Sequence, residues 1–502
     1  MNGETVHPAT LVALGAARTV TGSKFLLEAG TSRVLFDCGL FQGLKELRER
    51  NWAEFPVDAA SIDAVVISHA HLDHCGYLPR LVKHGFRGPV HVTYDTGRLM
   101  SIVLPDSARL LEEEARYANR AGYSRHSPAL ALYTEDDAWA ALDLLRPQAF
   151  DERFAPAPGV TAEFRPAGHI LGSASVRVTL DGGPTVMFSG DLGRPRHPLL
   201  VPPKGIGTAD YVVVESTYGD REHPEHDDAP ARLAELIERT VERGGVVIIP
   251  AFAVDRTEVL LYHLRKLAEA GRLPRVPIFV DSPMALAALK VYREAFEAGA
   301  ADVRPELHDA GELFDLPGLE EVHDAEGSKR VTAHPGSAII IAGSGMATGG
   351  RVIHHLKRFL PDPRNSVALV GFQAAGTRGR SLRDGATSVK IHGQYVRVRA
   401  EICDLAGFSV HADASELTDW VATAEGDPTV FVVHGEDEAA QALGRRIETQ
   451  LDLVAVVPDQ DERLLLLPPL GPPARRQQQI NTLQQAAKLI DEDVLMSEEA
   501  WR

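Results

Sequence analysis

Cysteine is scarce. The 502 residues contain three, Cys38, Cys75 and Cys403, odd in number and widely spaced. That excludes a disulfide framework and a cysteine-based zinc finger, so any metal must be held by nitrogen and oxygen ligands. Long apolar runs are also missing, since none reaches the roughly 18 residues a membrane-spanning helix needs. The start has no basic segment, and Glu4 stands where a secretory leader would be positive. The expectation is a soluble, cytoplasmic protein with no membrane partner. Basic charge is in deficit as well. A formal net charge of −18 weighs against nucleic acid as a partner, because backbone binding rests on Lys and Arg. Bound divalent cations and a local basic cleft can reverse that field.

What remains is a globular composition, 44% hydrophobic and 24% charged, in a chain long enough for two or three domains. Leu11 to Leu14, Phe25 to Glu28 and Val34 to Phe36 read as strands broken by Gly15, Gly22 and Gly30. Ala64 to Ile67 is a buried-strand run ending at Ser68-His69. Val90 to Thr93, Val176 to Leu180 and Thr185 to Phe188 continue the strand signals, with helical spacing over Leu104 to Arg120 and Asp136 to Leu145. From about Thr208, strand runs such as Tyr211 to Val214, Val246 to Ile249 and Ala338 to Ala342 alternate with helical stretches. That alternation predicts a parallel or mixed sheet covered on both faces. Strands return after Val389, as Val396 to Ile402 and Thr429 to Val433. The expected division is therefore 1–207, an inserted α/β block over 208–386, a return to the first domain over 387–467, and a Pro-rich linker with a Gln-rich tail over 468–502. The inserted block is expected to be hinged across an active-site cleft.

The strongest chemical signal is Ser68-His69-Ala70-His71-Leu72-Asp73-His74. A lone histidine is ordinarily a satisfied structural residue. Three histidines and an aspartate within six residues, immediately after a buried strand, are hard to explain that way. Their lone pairs suit zinc, with manganese or iron as alternatives.

This motif resembles the metallo-β-lactamase fold, and further positions match in order. They are Asp37 in Phe36-Asp37-Cys38-Gly39, His169 in Gly168-His169-Ile170-Leu171-Gly172, and Asp191 in Ser189-Gly190-Asp191. Glu215-Ser216-Thr217-Tyr218-Gly219, Ser409-Val410-His411-Ala412-Asp413 and Val433-His434-Gly435-Glu436 resemble the three extra motifs of the β-CASP nucleases. Pro250-Ala251-Phe252, Asp281-Ser282-Pro283-Met284 and Gly343-Ser344-Gly345-Met346 are further matches. The likeness is strongest to bacterial and archaeal relatives of the cleavage and polyadenylation specificity factor nuclease subunit. It implies a four-layer αββα sandwich carrying an inserted β-CASP domain. RNA-acting members have histidine at the third extra motif where DNA-acting members have valine, so His434 implies a single-stranded RNA substrate.

The resemblance further implies two zinc ions per chain, one on His69, His71, His169 and Asp191, the other on Asp73, His74, Asp191 and His434. Two metals about 3.5–4 Å apart would clamp a hydroxide as nucleophile. His411 would be the general acid, Glu215 would orient it, and Asp37 would fix a ligand histidine. Asp73 counts among both the metal and the catalytic residues. Backbone N–H groups of Ser344, Gly345 and Met346, with Arg256, Arg378 and Arg380, would meet substrate phosphates. The plainer reading of that loop is an ordinary turn, and of the arginines ordinary surface charge. His354-His355 and His392 read as structural. The expected activity is endonucleolytic, with 5′-to-3′ exonuclease activity and a homodimer left open. A thioester or lactone hydrolase on the same core, and a non-catalytic scaffold of an RNA-processing complex, are the alternatives.

Overall fold

The computed structural model describes residues 9–122, 126–223, 228–308 and 312–467. The linker and tail expected over 468–502 lie outside the described residues. Two seven-stranded sheets form the centre. The first runs Arg463–Leu466, Ala9–Ala13, Phe25–Ala29, Ser32–Phe36, Ala64–Val66, Val90–Thr93, Leu145–Gln148. The second runs Ala455–Val456, Thr429–Val433, Tyr211–Glu215, Thr185–Phe188, Ala174–Leu180, Val160–Pro166, Arg153–Ala157.

Strand alternation sends successive side chains to opposite layers. Leu11, Ala13, Val34 and Phe36 enter the core between the sheets, where Phe36 stacks on Phe188 with ring centroids 4.2 Å apart. Val12, Leu14 and Leu35 point the other way, into the layer of the helices Leu78–Lys83, Tyr94–Ala121 and Glu135–Leu142. On the far side, Val212, Val214, Val430 and Val432 meet Leu417, Trp420, Leu443 and Ile447 of the helices Ala414–Val421 and Asp437–Leu451. The result is the αββα sandwich.

A third sheet of six parallel strands belongs to the inserted block, in the order Leu319–Glu321, Ile278–Val280, Ala338–Ala342, Val246–Pro250, Ser366–Leu369, Glu401–Asp404. Two expected boundaries shift. Tyr211–Glu215 pairs with Thr185–Phe188 and Thr429–Val433 in the sandwich, so the insertion leaves after Glu215 rather than at 208. The stretch expected as one strand, Val396 to Ile402, is broken: Gln394–Arg397 forms a hairpin with Ser388–Ile391, and Glu401–Asp404 is an edge strand of the inserted sheet. The inserted block thus keeps the chain through Asp404, past the expected 386. The helix expected over Leu104 to Arg120 begins at Tyr94, where the Thr93 hydroxyl caps it, and runs through Pro105.

The expected hinge gives way to a continuous core. Val12, Val65, Leu78 and Leu99 of the sandwich share one apolar cluster with Leu236, Ile249, Val280, Tyr292 and Ile341 of the insertion. Polar bonds reinforce the seam. The Leu171 N–H donates to Tyr292 Oη at 3.0 Å, the Gly172 N–H donates to Asp302 Oδ2 at 2.6 Å, and Tyr292 Oη donates to Asp255 Oδ1 at 2.9 Å. The loop that carries His169 is therefore held by side chains of the insertion.

Candidate metal centre

The residues of the centre come from strand ends and from one short helix. Ala64–Val66 delivers Ser68 and His69, His71 precedes the short helix Leu72–Cys75, and Asp73 and His74 lie within it. His169 and Asp191 follow Val160–Pro166 and Thr185–Phe188, Glu215 ends Tyr211–Glu215, and His434 follows Thr429–Val433. Two glycines beside the centre are steric requirements. A Cβ on Gly39 would stand 1.6 Å from the Asp73 carbonyl oxygen, and one on Gly193 would stand 1.7 Å from that of Gly168. Asp37 and His434 occupy the left-handed region, at φ of 57° and 50°, which is uncommon for non-glycine residues and concentrates at functional sites.

Two ligand groups emerge. In the first, His71 Nδ1 lies 3.1 Å from His69 Nε2 and 3.2 Å from His169 Nε2, and both of those nitrogens lie 3.6 Å from Asp191 Oδ2. In the second, His74 Nε2 lies 3.0 Å from His434 Nε2 and 3.2 Å from Asp191 Oδ1, and His434 Nε2 lies 3.9 Å from Asp73 Oδ2. Zn–N bonds of about 2.0–2.1 Å in a tetrahedron place neighbouring ligand atoms roughly 3.3 Å apart, so both groups have the right size. Asp191 Oδ1 accepts no hydrogen bond in spite of the nearby His74 nitrogen. The atoms converge on a shared point rather than on one another, as ligands of a cation do.

Electrostatics favour the neutral ring at three of the histidines. Burial, and then the neighbouring imidazoles, push His69 and His169 well below the ordinary histidine range against the pull of Asp191. Burial also lowers His71. Neutral imidazole is the metal-binding form. For His74, burial opposes protonation, but Asp191 and Asp37 outweigh it and raise the ring well above the ordinary range. Asp37 accepts from Ser68 N–H at 2.8 Å and from the Ser23 hydroxyl at 3.0 Å, and its Oδ2 lies 2.7 Å from His74 Nδ1.

His411 stands beside the first group, its Nδ1 3.3 Å from Glu215 Oε1 and 4.0 Å from Asp191 Oδ2. Burial works against its protonation, and Glu215 and Asp191 raise it overall. Glu215 is fixed in turn, because Leu192 N–H donates to its Oε1 and Thr217 N–H to its Oε2.

Residues 19–233 match the metallo-beta-lactamase superfamily, residues 257–382 the Beta-Casp domain, and residues 395–458 a Zn-dependent metallo-hydrolase RNA specificity domain. Ribonuclease TTHA0252 of Thermus thermophilus is 41% identical over 435 residues, 87% of this chain and 95% of that one. The chain belongs to the β-CASP branch of the metallo-β-lactamase superfamily. Transcription termination factor FttA of Methanosarcina mazei is 32% identical over 88% of this chain and 69% of its own length. An RNase J-like protein of Methanocaldococcus jannaschii is 30% identical over 88% and 96%. A crystal structure of a protein of unknown function from Enterococcus faecalis covers 92% of this chain and 100% of that one at 13% identity and a TM-score of 0.50, a likeness of fold alone. No helix among the described residues is long and apolar enough to cross a membrane.

The β-CASP block brings its glycine-rich loop close to the centre. A Cβ on Gly345 would stand 2.6 Å from the Phe252 ring, and that ring lies 6.3 Å from the ring of His71. Among the described residues, the amides of Ser344, Gly345 and Met346 donate to no protein atom, while the Ser344 hydroxyl is bonded to Thr348. Arg256 is buried with Nε and Nη1 lacking partners. Arg378 donates from Nε to the Lys390 carbonyl and from Nη1 to those of Ala347 and Thr348, so it fastens the loop to the strand Ser388–Ile391. Arg380 pairs with Asp384. His355 is wholly buried against Asp281 at 2.7 Å.

Some participants carry no sequence signal. His223 Nε2 lies 2.9 Å from the His411 carbonyl oxygen and its backbone N–H donates to Asp413, yet it lies four residues past the motif that ends at Gly219. Tyr292 and Asp302 act on the His169 loop from more than a hundred residues away.

Proposed function

We propose that this chain is a metal-dependent ribonuclease that hydrolyses phosphodiester bonds of single-stranded RNA at a two-metal centre. The observation that carries the reading is Asp191, whose two carboxylate oxygens face two separate groups of buried histidines, with the His411–Glu215 pair alongside. The ribonuclease named among its relatives and the match to an RNA specificity domain favour RNA over other phosphodiesters. His69, His71, His169 and Asp191 would hold one ion, and Asp73, His74, His434 and Asp191 the other. Zinc suits the donor set, as manganese or iron would. When bound, two such ions activate water and neutralise charge building on the phosphoryl oxygens.

The protein's own residues do the rest. Asp37 fixes the ring orientation of His74 through the nitrogen turned away from the centre. His411 holds the proton that the departing ribose oxygen requires, and Glu215 favours the protonated ring and aims it. The amides of Ser344, Gly345 and Met346, and the guanidinium of Arg256, bind non-reacting phosphates and place the scissile one. The test is incubation of the metal-analysed protein with end-labelled and internally labelled single-stranded RNA and matched DNA at one salt concentration. RNA should be cleaved far faster than DNA, leaving 5′-phosphate and 3′-hydroxyl ends. Equal rates on both would sink the RNA assignment, and the label released first distinguishes internal from terminal cleavage.

A further inference from the structure

Charge is distributed unevenly along this acidic chain. Residues 351 to 399 contain ten Lys or Arg, two Asp and no Glu, whereas the whole carries −18. The fold gathers much of that segment onto one surface, made by the helix Val352–Phe359 and the hairpin Ser388–Ile391/Gln394–Arg397. The rings of His354 and His392 meet at 4.9 Å, and the Arg399 N–H donates to the Leu360 carbonyl at 2.8 Å, so helix and hairpin are fastened together. Both aspartates are already engaged, Asp362 with Arg364 and Asp384 with Arg380 and Arg383. Lys357, Arg358, Lys390, Arg397 and Arg399 are exposed; Arg358 lies close enough to help lower the Asp362 carboxyl, and among the described residues none of the five forms a salt bridge. Surface cations are ordinarily interspersed with acids. Here they are not.

The hairpin's register gives the surface a pattern. Val389, Ile391 and Val396 are buried in the β-CASP core, which leaves the other face outward. On that face Lys390 stands opposite Tyr395, and Arg397 follows two residues on. Tyr395 is 77% exposed, so an aromatic ring is held in water between two cations by a strand whose other side is locked in the core. Cations that track a phosphate backbone, interleaved with a ring on which a base can stack, are the elements of single-strand recognition.

The surface is linked to the centre through a relay of packed residues. The guanidinium of Arg378 bonds the hairpin at Lys390 and the glycine-rich loop at Ala347 and Thr348. That loop packs on Phe252, which reaches His71. We propose that this hairpin-and-helix face is a docking surface for single-stranded RNA, with Lys390 and Arg397 on phosphates and Tyr395 under a base, feeding the strand toward the candidate metal centre. It resolves how so acidic a chain engages a polyanion. It rests on the ribonuclease reading.

The test compares two substrates on the full-length, metal-loaded protein. One is poly(U), long enough to span surface and centre; the other is bis(p-nitrophenyl) phosphate, which occupies only the centre. The double variant Lys390→Gln/Arg397→Gln and, separately, Tyr395→Ala should each raise KM for poly(U) by roughly tenfold. Both should leave turnover of the aryl diester unchanged. The slope of log KM against log salt should fall by about 1.4 in the double variant, from about 0.7 per phosphate contact on a single strand. Tyr395→Phe should restore the poly(U) value, since the ring and not the hydroxyl does the stacking. Unchanged KM and salt slope in folded variants that still turn over the aryl diester would overturn the proposal. Inhibition of wild type by poly-glutamate as strong as by RNA would overturn it too, assigning the face to an acidic protein. Wild type that turns over the aryl diester yet ignores poly(U) refutes the ribonuclease reading itself, a result visible without any variant.

Discussion

Asp37 Oδ2 lies 2.7 Å from His74 Nδ1, while His74 Nε2 points into the candidate metal centre 3.2 Å from Asp191. The aspartate touches no other ligand of the centre by side chain; it sets the direction of one ring and the ring sets the rest.

Replacing Asp37 by Asn should therefore weaken metal binding without removing a ligand. A change of 10–100-fold in affinity is the usual scale for such an orienting partner (roughly 1.4–2.7 kcal/mol). Competition against a zinc chelator measures it. An affinity equal to wild type would leave Asp37 with a purely structural role.

Metal stoichiometry is the next expectation. Because the two groups share only Asp191, elemental analysis of protein purified without chelator should return two divalent ions per chain. Asp191→Asn should lower occupancy of both. A single ion in the wild type would remove the dinuclear reading.

The two C-terminal histidines should separate. His434→Ala removes a ring 3.0 Å from His74 Nε2, so metal content and activity should fall together. His411→Ala should keep both ions and slow RNA cleavage by roughly 10²–10⁴, the usual worth of a positioned general acid. An activated aryl phosphodiester, whose leaving group needs no proton, should be spared. If His411→Ala lost metal and His434→Ala kept it, the two roles would be reversed.

Asp302 supplies a pH dependence of stability. Burial raises its carboxyl from 3.8 to about 6, in spite of the Gly172 N–H it accepts. A carboxyl raised on folding stabilises fully below its unfolded value, and that contribution is lost as pH climbs through about 6. Asp302→Asn should therefore gain on wild type at pH 8, by up to about 3 kcal/mol, and show no gain at pH 4. Urea melts at the two values check this; a gain of equal size at both would mean the carboxyl is not the cause.

Much of the candidate centre is legible in sequence because the residues that could hold a metal come from short segments at strand ends, where one motif carries several. The inward strands are legible for a similar reason: Val34 to Phe36 and Ala338 to Ala342 are buried on both faces and read as apolar runs. Edge strands are not. Leu145–Gln148 and Arg153–Ala157 are partly exposed and contain proline, so no period survives in them. Glu401–Asp404 belongs to the inserted sheet only because Ser366–Leu369 offers it an edge, information no local window holds. The grip of Tyr292 and Asp302 on the His169 loop is equally non-local.

The apolar cluster that runs from the sandwich into the insertion has a practical corollary for anyone treating this protein as modular. The β-CASP block is not a portable cassette. Cutting it out would uncover the face of Tyr94–Ala121 that packs on the helix Pro283–Glu297, at about 1.5–3 kcal/mol for each large apolar residue returned to water, and would release the His169 loop as well. A transplant onto another metallo-hydrolase would have to bring its half of the seam along. The intact chain, for its part, should melt as one cooperative body, so that calorimetry of residues usually drawn as two domains records a single peak.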